Sequence, residues 1–128
     1  MSKKMKILIV DDIKGWRDYH SKMVIELLPN SEIILAESAR VGYDKLLEHN
    51  DVPFDIIFTD MQMENDFEPK YAGEWFIEQI KTFKNYKNTK IVIISAAYNI
   101  SHIANIYGVN YIRKSTAKSF PDVYKTIF

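Results

Sequence analysis

The chain has 128 residues, enough for one domain with a real core and too few for a second. Hydrophobic residues make up 47% and charged residues 27%, ordinary globular proportions, and 17 basic against 17 acidic side chains leave a formal net charge of +0. That balance argues against broad electrostatic attraction to nucleic acid or anionic membrane, and the absence of cysteine excludes disulfides, Cys-zinc sites and thiol catalysis.

The basic start, MSKKMK, leads into ILIV, which is cut off at once by Asp11-Asp12 and is too short for a signal-peptide core. No stretch approaches transmembrane length, so a soluble, cytoplasmic protein is expected. KILIV (6–10), EIILA (32–36), FDIIF (54–58), KIVII (90–94) and VNYI (109–112) are five short apolar runs. Most are rich in Ile and Val without strict alternation, the pattern of parallel strands buried on both faces.

Helical spacing fills the intervals. Trp16, Tyr19, Met23 and Leu27 recur at steps of three and four before Pro29-Asn30. Ser38 caps a second helix carrying Ala39, Tyr43, Leu46 and Leu47. A third starts near Gly73 with Phe76, Ile77, Ile80 and Phe83 on one face, and a fourth spans about Asn99 to Tyr107, stopped by Gly108. Ser119-Phe-Pro-Asp reads as a last, short helix start with Pro in its first turn. Strand and helix thus alternate five times, which predicts a single α/β domain over residues 1–128 with a mainly parallel sheet covered on both faces.

In such sheets, ligands bind beyond the carboxyl ends of the strands. The residues there are Asp11-Asp12, Asp60, Ser95-Ala96 and Arg113-Lys114. Each has an ordinary reading: an Asx turn or cap for the aspartates, a cap for Ser95, a solvated charge for Lys114. If the first and third strands are neighbours, three carboxylates meet, and crowded carboxylates call for a compensating cation. A hard divalent ion such as Mg²⁺, with oxygen ligands and retained waters, suits that set. Carboxylates, a hard metal, a lysine and a hydroxyl are the parts of phosphoryl transfer, in which one carboxylate can be the nucleophile.

ILIVDD, DIIFTD, VIISA and YIRK, in this order, resemble the receiver domain of two-component response regulators over essentially the whole chain. The resemblance implies a flavodoxin-like (βα)5 fold with strand order 2-1-3-4-5. It implies that Asp60 is the phospho-acceptor. Asp12 would be a direct Mg²⁺ ligand, Asp11 its partner through water, and the Gln62 backbone carbonyl a further ligand. Ser95 would be the switch hydroxyl, Lys114 the phosphate-binding lysine and Tyr111 the switch aromatic. A sensor histidine kinase or histidine phosphotransfer protein would be the donor. A downstream protein would read the helix 4–strand 5–helix 5 face, without nucleic-acid or membrane binding by this domain; a homodimer stays open. Such a domain is a phospho-accepting signalling module rather than an enzyme, and the alternative is a receiver-like interaction module that works without phosphorylation.

Haloacid-dehalogenase-like phosphatases also use an Asp nucleophile with Mg²⁺, but they need Asp-x-Asp. Asp11 is followed by Asp12-Ile13 and Asp60 by Met61-Gln62, so neither position matches. His20, His49 and His102 lack metal-ligand spacing and are expected at the surface, and the lysines at 81, 84, 87 and 90 read as a solvated face. The chain departs from the receiver pattern twice. MQMENDFEPKYAGEW delays Gly73 by about five residues and adds Glu64, Asp66 and Glu68 beside the site. Ser115 replaces the Pro that usually follows the lysine, which implies either a trans bond with a rearranged loop or a strained cis bond.

Overall fold

In the computed structural model, which describes residues 4–63 and 71–128, strands and helices alternate along the chain. They are β1 (Lys6–Val10), α1 (Lys14–Leu27), β2 (Glu32–Ala36), α2 (Ala39–Glu48), β3 (Ile56–Thr59) and α3 (Ala72–Thr82). After a 3-10 turn at Lys84–Tyr86 come β4 (Lys90–Ser95), α4 (Ile100–Tyr107), β5 (Asn110–Arg113) and α5 (Lys114–Ser119). A 3-10 segment, Pro121–Ile127, ends the described chain. All strand pairings are parallel, in the order β2-β1-β3-β4-β5.

The strands alternate their side chains between two cores, as pleating requires. Leu8, Val10, Ile57, Ile91 and Ile93 pack with Leu46, Phe76, Ile77, Ile80, Ile100 and Ile103 from α2, α3 and α4. Ile7, Ile9, Ile56, Phe58, Val92, Ile94 and Ile112 pack on the other side with Val24, Ala117, Tyr124 and Ile127. Apolar side chains on both faces explain why these runs show no strict alternation.

Local chemistry sets the ends of the elements. The Ser38 hydroxyl accepts the Val41 N–H at 3.1 Å and caps α2. The Glu74 carboxylate accepts the Tyr71 N–H at 3.3 Å at the start of α3. Gly108 stops α4 at φ 65° and ψ 38°, the left-handed conformation expected of it.

Two boundaries differ from expectation by more than one residue. β3 begins at Ile56 rather than Phe54, since the Asp55 side chain turns back to accept the Lys6 N–H at 2.9 Å. The last α-helix starts at Lys114 and ends at Ser119, where the sequence suggested a start. Its buried residues are Lys114 and Ala117, so KSTAKS offers no apolar periodicity to read. Pro121 does stand at a helical N-terminus, that of the 3-10 segment.

Candidate functional site

Parallel pairing places the site residues. Val10 is level with Thr59, so the next residues, Asp11 and Asp60, emerge side by side from β1 and β3. Ser95 is level with Arg113, which sets Lys114 one step beyond, at the same edge of the sheet. Gly73 closes the other side of Asp60. Its N–H donates to the Met61 carbonyl at 3.0 Å, and a Cβ there would overlap the Asp60 carbonyl oxygen and lie 2.6 Å from Met61 Cα. That close approach requires glycine.

Asp11, Asp12 and Asp60 form one acidic cluster whose ligand atoms all lie within 4.8 Å of one another, a donor set that could hold a metal. Asp11 and Asp60 are buried, and Asp12 is half-buried. Lys114 is buried too, 6% exposed, with Nζ 3.0 Å from Asp60 Oδ2 and 3.1 Å from Asp11 Oδ2. The Trp16 ring covers this ammonium at 5.1 Å. Asp60 Oδ1 accepts the Met61 N–H at 2.7 Å.

Burial pushes the Asp60 carboxyl up to about 6, against the pull of Lys114 and with the added repulsion of Asp11. Asp11 is also penalised by burial, yet His20, the Ile13 N–H and Lys114 together hold it below the usual carboxylate value. Two adjoining carboxylates are therefore pushed apart in acidity. The three carboxylates offer hard oxygen donors, a set that could hold a divalent metal.

Several ordinary readings also hold. Asp11 Oδ1 accepts the Ile13 N–H at 2.9 Å, an Asx turn, while Oδ2 faces Lys114. The buried Ser95 hydroxyl accepts the Ala97 N–H at 3.2 Å and also helps hold down the Asp60 carboxyl. Asp11, Asp12, Asp60, Ser95 and Lys114 are thus brought together. Gln62 lies two residues past Asp60 with an exposed side chain. Tyr111 stays outside: it is 43% exposed, with the Arg113 guanidinium 5.9 Å from its ring. The acidic additions Glu64, Asp66 and Glu68 lie outside the described residues.

The sequence reading missed His20. It is not at the surface but 2% exposed, with Nδ1 2.6 Å from the Tyr124 hydroxyl and Nε2 3.6 Å from Asp11 Oδ2. Its place one residue after Tyr19, on the inner stripe of α1, was the available signal. His49 is half-buried and His102 exposed.

No family model matches the chain, and no curated protein does. Solved structures do. The chemotaxis protein CheY4 of Vibrio cholerae superposes with a TM-score of 0.75 at 18% identity, over 98% of this chain and 100% of that one. The response regulator domain of CheB from Thermotoga maritima gives 0.69 at 20% identity, over 98% and 94%. A response regulator receiver domain from Clostridium thermocellum gives 0.62 at 21%, over 86% and 82%. The architecture of this chain is the flavodoxin-like fold of CheY-type receiver domains.

Proposed function

We propose that this chain is a receiver that takes a phosphoryl group from a phosphohistidine donor onto Asp60 and signals to a protein partner. The observation that carries this reading is Lys114 Nζ held 3.0 Å from the Asp60 carboxylate within a buried acidic cluster. A lysine that served only solubility would not be buried at the carboxyl ends of the strands.

Asp60, with a pKa of about 6, is ionised at neutral pH and can act as a nucleophile. One of its oxygens forms the new P–O bond as the donor's N–P bond breaks, and the leaving imidazole nitrogen takes a proton from solvent. Lys114 supplies a fixed positive charge as negative charge moves from carboxylate to phosphoryl oxygens. Asp11, Asp12 and Asp60, with the Gln62 carbonyl, would hold Mg²⁺. That ion would supply further neutralisation of phosphoryl charge. Ser95 is the hydroxyl within reach of the change at Asp60, and the face of α4, β5 and α5 that carries Tyr111 would meet the partner.

Incubation with Mg²⁺ and acetyl phosphate, read by intact-mass spectrometry, tests the reading. A single phosphoryl adduct is expected on the native chain and none on Asp60→Asn. Absence of an adduct with this donor and with phosphohistidine proteins would overturn it.

A further inference from the structure

Behind the acidic cluster lies a second polar contact that phosphoryl transfer does not itself require. His20 stands on the inner stripe of α1, between the site and the C-terminal 3-10 segment. Trp16 stacks on it, with centroids 5.4 Å apart and planes at 28°, and Tyr124 is fully buried beside it. An apolar side chain would fill this place without desolvating two ring nitrogens, so the histidine needs polar partners. One is the Tyr124 hydroxyl, 2.6 Å from Nδ1. Nε2 faces Asp11 Oδ2 at 3.6 Å, longer than a hydrogen bond but close for a dipole and a charge.

The two contacts select one arrangement of hydrogens. A bare Nε2 lone pair facing a carboxylate oxygen would be repelled, whereas Nε2–H is attracted. With the hydrogen on Nε2, Nδ1 is an acceptor, and the Tyr124 phenol must donate to it.

We propose that His20 is a positioning residue for Asp11: Tyr124 donates to Nδ1, fixes the ring hydrogen on Nε2 and aims it at Asp11 Oδ2. Asp11 is then oriented from behind by the C-terminal segment, from the front by Lys114, and through Oδ1 by the Ile13 N–H. The functional consequence, tighter Mg²⁺ binding by an oriented carboxylate, rests on the reading of the site given above. Partners of this kind around metal-ligating groups are worth about 10- to 100-fold in affinity.

The test has two parts. In metal-free protein labelled with ¹⁵N at histidine, long-range ¹H–¹⁵N spectra report which ring nitrogen of His20 carries the hydrogen. Nε2–H is expected in the native chain and a mixture of tautomers in Tyr124→Phe, which removes one hydroxyl and preserves the packing. Calorimetric titration with Mg²⁺ is then expected to show a loss of about tenfold in His20→Leu, with much of it recovered in His20→Gln, whose amide N–H can replace Nε2–H. Hydrogen on Nδ1 in the native chain overturns the inference, as does a folded His20→Leu that binds Mg²⁺ as the native chain does. If His20→Leu does not fold, Tyr124→Phe decides by its tautomer, and an unchanged ring state there also overturns it. A native chain that takes up no Mg²⁺ overturns the reading of the site instead, and the tautomer in the metal-free protein then decides the inference alone.

Discussion

At Asp60, burial and charge pairing oppose each other, and burial wins. Its pKa of about 6 lies above the ordinary 3.8, so between those values the folded chain binds more protons than the unfolded one. The contribution of Asp60 to stability is therefore greatest below pH 3.8 and falls as pH rises through 6. Asp11, held low, behaves oppositely: its contribution is present above the ordinary value and is lost as pH falls through its folded one. Asp60→Asn removes only the first effect. In chelator, its stability relative to the native chain should gain about 2.4 kcal/mol between pH 4 and pH 8. Urea unfolding at both ends of that range checks this, and a difference that did not change with pH would contradict it. Lys114→Met should raise the Asp60 pKa further, because the lysine is the charge that restrains it, and the ¹³C carboxyl shift of Asp60 would follow that titration.

Among the elements, two glycines show different constraints. At Gly73 the first turn of α3 lies against the backbone of Asp60 and Met61, so Gly73→Ala must displace backbone rather than a flexible side chain. A loss of about 3 kcal/mol is expected, together with slower phosphorylation, since the displaced backbone carries Asp60. Gly108 has open space around a would-be Cβ but a φ of 65°, so Gly108→Ala should cost only about 1–2 kcal/mol and leave the site unaffected. Thermal melts and adduct formation measured together separate the two cases. Equal effects of both variants on phosphorylation would refute the placement of Gly73. α5 shows how an element can escape a periodicity reading: Lys114 is both its first residue and a buried site residue. Ser115, which stands where a proline was expected, is the second residue of this helix.

On the scale of the whole molecule, the site joins segments far apart in the chain. Asp11, Asp60 and Lys114 belong to three strand ends, and Tyr124 reaches the first of these through His20. Ligand binding at such a junction should stabilise the domain as a unit. Mg²⁺ at 100 times its dissociation constant should add about 2.7 kcal/mol to unfolding free energy, and Asp12→Ala should abolish most of that gain. Melting curves with and without Mg²⁺ test it; equal shifts in the two proteins would remove Asp12 from the ligand set.

The sequence by itself determined the five strands, four of the helices, and the positions where chemistry had to be sought. Apolar runs and helical spacing are local signals, and Asp11, Asp12, Asp60, Ser95 and Lys114 all stand at or just past the carboxyl end of a strand. Tertiary structure decided what these residues do to one another. Pairing of β1 with β3 makes Asp11 and Asp60 neighbours, and burial separates their acidities. It also placed Tyr111 outside the cluster and His20 behind it. Helical spacing could hint that His20 faces inward, but not what it would meet there. The environment of a histidine on a helix is set by what packs over that helix, and here the cover comes from Tyr124, 104 positions along the chain.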